Sequence, residues 1–436
     1  MAKRKKKSKF KLFILIILVS LIAYYFYKVD NFDNINIFEV MDGDDIVENS
    51  LHFNIVSNSE SDTDNIKKIF MNGMDESDFR SVLNTKYTLL KSNKYKFINY
   101  EFDTILDYSE LENLYSKIGN SSIANTYIIG SSVDGRNVYG IEIGSGDEVL
   151  LMDANIHAAE VSTTSILTKF LIDIVNEYES GNEEVIEALK HVKIAAIPCI
   201  NPDGYEIYNF GVESLRNKDL WVYQNKENIN FENIKSNANG VDLNRNFPTQ
   251  NVGLYYKGNK LIKNTSIEKT IEKGKYFNGY SAGSEPEIRA AMSFMIKHYT
   301  NTYAYINLHS QGRVLYAGKP NLSSDFNTLT KTFAKFISSY TKYKVHGLSS
   351  EEVGEGNDGS ATDFMAELAN GFVFSTNTGR LSTNKYINNN CTFDYRYPVV
   401  TMEITKNWTS DPNIFRDEYY NFGVKNMLFD LIIKKF

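Results

Sequence analysis

The chain has 436 residues, of which 42% are hydrophobic and 13% aromatic, with only 7 prolines; this composition excludes a largely disordered, collagen-like or low-complexity protein. Its formal net charge of −7 conceals an asymmetry, because residues 1–28 carry eight Lys and Arg and no Asp or Glu, which leaves a net charge of −15 for the remainder. A surface of that sign repels the phosphates of nucleic acid, so we expect no nucleic-acid partner.

The N-terminus has the pattern of a membrane-targeting segment. Seven Lys and Arg lie within residues 3–11, and the next sixteen residues, 12–27, carry no charge. That length falls between the apolar core of a signal peptide and the roughly 20 residues of a spanning helix. It is therefore compatible with a cleaved signal peptide and with a membrane-spanning anchor. No small-residue cleavage site follows, and three tyrosines at its end suit a membrane interface. We therefore predict a retained anchor in residues 1–28, with the chain from residue 29 onward outside the cytoplasm.

Residues 29–98 are rich in Asn, Asp and Ser, which predicts a spacer or a small appended module. A globular domain is predicted over residues 99–436. It begins with a helical pattern at 109–118, a turn in SSVDGR, and an alternating strand at 137–144.

The next segments alternate between the two kinds of secondary structure. Buried strands are predicted at 148–156, 192–200, 303–308 and 398–404, and helices at 162–178, 284–299 and 324–340. Strands alternating with helices predict an α/β fold, with a mixed, mostly parallel sheet sandwiched between helices. The Asn- and Lys-rich stretches 209–240 and 249–278 are predicted to be loops at the rim.

The two cysteines, Cys199 and Cys391, are too few for a disulfide framework and match no metal-ligand spacing. A single bridge between them and two packed free thiols both remain open, and the general tendency of cysteine to be buried favours the free thiols.

Candidate metal ligands follow two of the predicted strands. Ligands of open α/β sheets bind beyond the carboxyl ends of the strands. The 148–156 strand runs into His157 and Glu160, and the 303–308 strand runs into His309. Two imidazoles and a carboxylate form a set that catalytic zinc uses, with a further position left for water. We predict one zinc ion on these residues, although a lone histidine is more often structural and the HxxE spacing alone is weak evidence.

Glu403 is the candidate catalytic carboxylate. It lies in the otherwise apolar segment VTMEI, where burial of a carboxylate costs several kcal/mol unless it is paired or functional. A carboxylate beside zinc-bound water can accept its proton and pass it to a leaving group. The alternative is a glutamate on an edge strand that points to solvent.

Residues 240–247, GVDLNRNF, supply a candidate anion-binding pair. The planar guanidinium of Arg245 suits bidentate recognition of a carboxylate, and Asn244 can donate beside it. Taken alone, an Asn-Arg pair in a loop is more often a surface feature. INPDGY, at 200–205, is predicted to be a turn.

In order, the segments NIHAAE, INPDGY, GVDLNRNFP, GSEPEIRA, NLHSQG and VVTMEI resemble the motifs of the carboxypeptidase A-like zinc carboxypeptidases over roughly residues 100–430. The resemblance implies zinc on His157, Glu160 and His309, with Glu403 as general base and then general acid. It also implies that Asn244 and Arg245 bind the terminal carboxylate of the substrate. HSQG is more similar to the bacterial branch that cleaves γ-D-glutamyl-diaminopimelate bonds of cell-wall peptides.

Two features depart from the family pattern. For its oxyanion-stabilising arginine, Arg216 and Lys235 are both candidates, and Lys235 would be a poorer, non-forked substitute. No tyrosine occurs in residues 359–368, where the pocket-capping tyrosine of the digestive members is expected. The remaining candidates for that role are Tyr386, Tyr395 and Tyr397.

The sequence therefore predicts a membrane-anchored, extracytoplasmic zinc metallocarboxypeptidase that hydrolyses C-terminal residues of peptides, with cell-wall peptides as candidate substrates. One alternative is a zinc deacylase or amidase acting on small N-acyl amino acids. Another is a non-catalytic cell-wall binding module on the same fold.

Overall fold

A computed structural model describes residues 74–220, 234–249, 277–318, 322–347, 359–370 and 397–436, apart from residues 75, 93 and 280, together with the backbone of five short strands outside these ranges. The predicted membrane segment and Cys391 lie outside the described residues, so the anchor and the state of the cysteine pair stay predictions. Among the helices that are described, none combines the length and apolarity that crossing a bilayer requires.

The described strands form one ten-stranded sheet and two separate hairpins. The order across the large sheet is β1-β2-β3-β4-β6-β5-β9-β14-β10-β11, and the hairpins are β7-β8 and β12-β13. The strands are β1 (Val47–His52), β2 (Lys86–Lys91), β3 (Ala124–Ser131), β4 (Asn137–Ile143), β5 (Glu148–Ala154), β6 (Val192–Ile197), β7 (Leu254–Lys257), β8 (Lys260–Lys263), β9 (Thr302–Ser310), β10 (Val314–Ala317), β11 (Lys344–His346), β12 (Val373–Ser375), β13 (Arg380–Ser382) and β14 (Val399–Ile404).

The predicted mixed sheet is confirmed, and its parallel part is its centre. Strands β6, β5, β9 and β14 run parallel to one another, whereas β1 to β4 and the β14-β10 pair are antiparallel. The four central strands correspond to the four buried strands predicted from the sequence. Their carboxyl ends therefore meet along one edge of the sheet.

Helices cover both faces of the sheet. One face packs against α1, α6 and α8, and the other packs against α2, α3, α4, α5, α7, α9 and α10. Among the described residues, the α-helices are α1 (Glu76–Leu83), α2 (Tyr108–Gly119), α3 (Val161–Glu179), α4 (Glu183–His191), α5 (Pro202–Phe210), α6 (Pro286–His298), α7 (Ser324–Thr341), α8 (Ala361–Ala369), α9 (Pro412–Tyr420) and α10 (Val424–Ile433).

Side-chain alternation on the central strands builds two cores. On β5, Leu150 and Met152 join the core beneath α3, whereas Val149 and Leu151 join the core beneath α6. All four are at most 2% exposed. A central strand buried on both faces has a nearly continuous run of apolar residues, and for this reason these strands can be predicted from the sequence.

Strand β2 lies within the 29–98 segment that was predicted to be a spacer or a small appended module. It pairs antiparallel with β3, and the hydroxyl groups of Tyr87 and Ser293 lie 3.0 Å apart. An ion pair of 3.3 Å joins Asp78 to Arg289. The hydrogen bonding of the sheet thus crosses the boundary predicted at residue 99, and the separate identity of residues 29–98 stays a prediction.

The INPDGY segment is a helix start rather than the predicted turn. Helix α5 begins at Pro202, and the side chain of Asn201 caps it by accepting a hydrogen bond of 2.9 Å from Gly204 N. Pro-Asp-Gly has the composition of a β-turn. However, proline is also favoured in the first turn of a helix, where no intrahelical partner for its missing N–H is needed.

Glu142 is expected to make the fold less stable at acid pH. It is buried on β4, with Oε1 3.0 Å from His298 Nε2 and an ion pair to Lys297. Burial raises the pKa of Glu142, but the hydrogen bond from His298 and the charge of Lys297 outweigh it and lower the pKa to about 2. Because this pKa is depressed, the stabilisation is complete above the unfolded-state pKa, near 4.5, and is lost as the pH falls towards 2.

We therefore expect Glu142→Gln to lower the free energy of unfolding at pH 6 by about 3 kcal/mol, and by much less at pH 3. Urea unfolding of both proteins at the two pH values measures this. The exposed Glu187→Gln is the matched control and should change stability little. A stability difference that stays constant from pH 6 to pH 3 would contradict the assignment.

Candidate metal centre

The three predicted ligands come from two adjacent parallel strands. His157 and Glu160 lie in the short connection from β5 to α3, and Glu160 N donates to His157 O (3.1 Å) across a tight turn. His309 is the penultimate residue of β9, which pairs with β5 in parallel. Their proximity thus follows from the sheet order.

The three side chains converge on one point. Nδ1 of His157 lies 2.8 Å from Glu160 Oε1, and Nδ1 of His309 lies 2.8 Å from Glu160 Oε2. One ligand atom from each residue lies within 4.8 Å of the others, and none of the three is more than 4% exposed. Two imidazole nitrogens and a carboxylate facing one another are the donor set of a catalytic zinc site, so these residues fit zinc.

The electrostatics of the centre favour an ionised Glu160. Burial raises its pKa, but the charges and hydrogen bonds of both histidines outweigh this and lower the pKa. At His157 burial lowers the pKa, yet Glu160 and Asp242 outweigh it and the pKa is raised. At His309 burial prevails and the pKa is lowered. The carboxylate is thus available as an anionic ligand.

Asp242 is a site residue that the sequence analysis missed. Its Oδ1 lies 3.3 Å from His157 Nε2 and accepts a hydrogen bond of 3.0 Å from Asn244 N. It is fully buried; burial raises its pKa, but the charges of His157 and Arg245 outweigh it and lower the pKa. A carboxylate behind a ligating histidine fixes the ring and increases its basicity. The signal was present, since Asp242 lies inside the GVDLNRNF motif.

We expect Asp242→Asn to weaken zinc binding by about 10- to 100-fold, because the ring of His157 loses its anionic partner. Competition with a chelator of known affinity measures this. Asp147→Asn, at an exposed aspartate before β5, is the control and should leave the affinity unchanged. Equal affinities of the Asp242 variant and the wild type would remove Asp242 from the centre.

Glu403 lies beside His309 in the sheet. It is on β14, where it pairs in register with His309 of β9 on one side and with Val314 of β10 on the other. Strand β14 is therefore interior, and the alternative of an edge-strand glutamate is wrong. The side chain is partly exposed at the surface of the site. Although Glu403 keeps some access to solvent, desolvation by the surrounding protein and the negative charge of Glu160 raise its pKa, while the Lys235 ammonium opposes the shift.

Asn244 and Arg245 lie on a short 3-10 helix, Leu243–Arg245. Asn244 Nδ2 is 3.4 Å from His309 Nε2, and its Oδ1 accepts a hydrogen bond of 3.0 Å from Ala361 N. Arg245 is partly exposed, and its guanidinium donates to Asn244 O at 2.9 Å. The fold thus brings this predicted pair to the rim of the metal centre.

The two candidates for the oxyanion cation differ in position. The exposed Arg216 donates to Gly135 O at 2.8 Å. Lys235, by contrast, has its carbonyl bonded to Ala158 N at 3.2 Å, next to the first ligand. Its charge also acts on both ligand histidines and on Glu403. The position of Lys235 therefore favours it over Arg216.

Of the three candidate capping tyrosines, Tyr386 and Tyr395 lie outside the described residues. Tyr397 is 1% exposed, and its hydroxyl donates to Met365 O at 3.2 Å. A buried hydroxyl engaged in this way does not reach a substrate, so Tyr397 is wrong as a candidate.

Several motifs of the resemblance form a scaffold behind the site. Asp203 of INPDGY accepts hydrogen bonds from Ser132 (2.7 Å) and Arg136 (3.0 Å) of the SSVDGRN turn. Glu287 of GSEPEIRA accepts from Val133 N of the same turn at 3.1 Å. Asn237, on the loop that leads to Asp242, donates to Glu287 at 3.2 Å. These contacts join the loops around the site to one another.

Comparison with known proteins agrees with the assignment of this site as a zinc centre. Residues 110–409 match the family model of the zinc carboxypeptidases, peptidase M14. The chain is 26% identical to the human carboxypeptidase N catalytic chain over 211 residues, covering 46% of this chain and 41% of that protein. It is 28% identical to γ-D-glutamyl-L-diamino acid endopeptidase 1 of Lysinibacillus sphaericus over 254 residues, covering 56% and 58%. The chain thus spans about half the length of these relatives.

Solved structures support the same fold. Bovine thrombin-activatable fibrinolysis inhibitor, in complex with tick carboxypeptidase inhibitor, superposes with a TM-score of 0.53 at 17% identity, over 77% of this chain and 100% of that chain. Carboxypeptidase A of Helicoverpa armigera gives 0.53 at 16% identity, over 78% and 76%. Because the family model matches about two thirds of the sequence, the chain belongs to the zinc carboxypeptidase family.

Proposed function

We propose that this protein is a zinc-dependent carboxypeptidase that removes C-terminal residues from peptides outside the cytoplasm. The observation that carries the proposal is the convergence of His157, Glu160 and His309, with Glu403 beside them. Zinc held by these three residues would lower the pKa of a bound water to about 7 and polarise the scissile carbonyl. The proposed site holds a single zinc ion, bound by all three residues.

Glu403 moves the proton in the proposed reaction. Its carboxylate accepts a proton from the attacking water as the bond between water oxygen and carbonyl carbon forms. It then gives that proton to the amine nitrogen as the C–N bond breaks. The position of Glu403 next to His309 in the sheet supports this role.

Lys235 is proposed to stabilise the negative charge that develops on the carbonyl oxygen. An ammonium group held in the site is worth most where charge appears in the transition state. Its electrostatic effect on the ligand histidines and on Glu403 supports this choice over Arg216.

Arg245 and Asn244 are proposed to bind the terminal carboxylate of the substrate. A guanidinium pairs with a carboxylate through two parallel hydrogen bonds, which fixes the distance from the chain end to the scissile bond. This pair is what makes the proposed enzyme a carboxypeptidase rather than an endopeptidase.

We expect Arg245→Lys to lower kcat/KM for peptides with a free C-terminus by about 10- to 100-fold, mainly through KM, because a point charge replaces the fork. Steady-state kinetics on one peptide, with a free or an amidated C-terminus, measures the effect. The wild type should discriminate strongly against the amide, and the variant much less. Arg216→Lys is the control. Unchanged discrimination by the Arg245 variant would contradict the role.

Cell-wall peptides, including those with γ-D-glutamyl-diaminopimelate bonds, are the proposed substrates. Two observations support this, the HSQG sequence at the end of β9 and the name of the Lysinibacillus sphaericus relative. The predicted N-terminal anchor with an extracytoplasmic domain is consistent with such substrates. A deacylase or amidase for small N-acyl amino acids would use the same metal and is separated from this proposal by its products.

The experiment uses the full-length chain in detergent, since β1 and β2 join the sheet and a fragment from residue 99 would remove them. It is incubated with wall tripeptides and tetrapeptides, standard carboxypeptidase substrates and N-acyl amino acids, with and without chelator, and the products are identified by mass. Chelator-sensitive release of C-terminal residues is expected. Release of acyl groups alone would favour the deacylase. No turnover of any substrate would favour a non-catalytic wall-binding module.

A further inference from the structure

We propose that Trp408 is a positioning residue that holds the ammonium group of Lys235 towards the metal centre. This rests on the proposed function of Lys235. Trp408 lies beyond β14, outside all the motifs of the resemblance, and is partly exposed.

The indole of Trp408 is fixed beside the ligands. Its Nε1 donates to Ser310 O at 2.7 Å, one residue after His309, and its backbone N donates to Gln311 Oε1 at 3.2 Å. The turn that leads to it is held as well, because Gly312 N donates to Thr405 O at 2.8 Å. Three hydrogen bonds thus join the segment after β14 to the last residue of β9 and the turn that follows it, and the ring has a defined orientation.

The ammonium of Lys235 lies over this ring. Nζ is 6.0 Å from the ring centroid of Trp408, which is within the range in which an indole attracts a cation. The backbone of Lys235 is held beside the ligands by its bond to Ala158 N. The side chain is therefore anchored at its base next to His157, and its charged end lies over the indole.

Lysine needs such a restraint more than arginine does. Its charge is a point at the end of a flexible four-carbon stem, whereas a guanidinium is a planar, preorganised fork. Preorganised charge stabilises a transition state because it does not have to reorient when the reaction occurs. An indole anchored to the segment that carries His309 keeps the ammonium on the side where the carbonyl oxygen of the substrate becomes negative.

A double-mutant cycle in kcat on a peptide substrate tests the inference, with Trp408→Leu, Lys235→Met and the double variant. We expect Lys235→Met to lower kcat by about 10²-fold and Trp408→Leu by about tenfold. The double variant should be no slower than Lys235→Met alone, because Trp408 acts through Lys235. Trp408→Phe, which keeps a ring but loses the bond to Ser310 O, should lie between Leu and wild type.

Multiplicative losses in the double variant would overturn the inference and would instead indicate that Trp408 contacts the substrate directly. Zinc content should equal that of the wild type in every variant. If the wild type turned over no peptide, the proposed function would be wrong. That result differs from multiplicative losses in kcat, which would contradict only the role of Trp408.

A spectroscopic arm needs no turnover. The sequence has two tryptophans, so Trp221→Phe leaves Trp408 as the sole indole. In that background, Lys235→Met should change the intensity of the Trp408 emission, while Lys190→Met, at an exposed lysine, should not. Identical Trp408 emission with and without the Lys235 ammonium would contradict the contact. This measurement does not require Trp408→Leu, so it can be made even if that variant does not fold.

Discussion

Replacing Glu403 by glutamine should lower kcat by about 10²- to 10⁴-fold, the contribution of a positioned general base. Glutamine has nearly the same shape as glutamate but cannot accept the proton of the attacking water. The variant should keep its zinc, because Glu403 is not among the three residues whose donor atoms converge. The measurement is kcat together with zinc content of the same preparation.

The same exchange at Glu187 is the matched control. Glu187 is an exposed residue of α4 paired with Lys190 and His191, so Glu187→Gln should leave kcat unchanged. Full turnover by Glu403→Gln would show that another group moves the proton. Loss of zinc in that variant would instead assign Glu403 to the ligands.

Replacing His309 by alanine should remove most of the bound zinc and, with it, the turnover. One of three protein ligands is lost, and Glu160 keeps a single histidine partner, so the loss of affinity should exceed the roughly 10- to 100-fold typical of residues behind the ligands. Metal analysis after dialysis and kcat with added zinc measure the two effects. Part of the turnover should return at high zinc concentration.

His191→Ala is the control for His309→Ala, because His191 is an exposed histidine at the end of α4. It should retain stoichiometric zinc. An unchanged zinc content in His309→Ala would remove His309 from the ligand set and leave two protein ligands, too few for a catalytic zinc site of this kind.

Two properties of this chain allow its site to be predicted from the sequence. The central strands are buried on both faces, so they appear as apolar runs, and a parallel sheet places its binding residues just beyond such runs. His157, Glu160 and His309 could therefore be predicted as neighbours from their places in the chain. Glu403 could be singled out because burying a carboxylate in an apolar strand is costly unless the group is paired or functional.

Other features were outside the reach of local patterns. Whether Glu403 was on an edge or in the interior depended on β10 pairing with β14. The importance of Asp242, and the choice of Lys235 over Arg216, depended on which loops pack against the ligand segment. Pro-Asp-Gly in INPDGY is compatible with a turn and with a helix start, and the cap from Asn201 decided between them.

The sequence by itself determined the α/β class, the central strands and the residue types of a zinc hydrolase, because burial and residue chemistry are properties of short segments. The tertiary structure alone decided the order of the strands, the inclusion of β1 and β2 in the sheet, and the contacts of Asp242, Lys235 and Trp408. These depend on segments far apart in the chain, for instance Lys235 and Trp408, whose meeting is specified by the packing of two loops and by no pattern within either one.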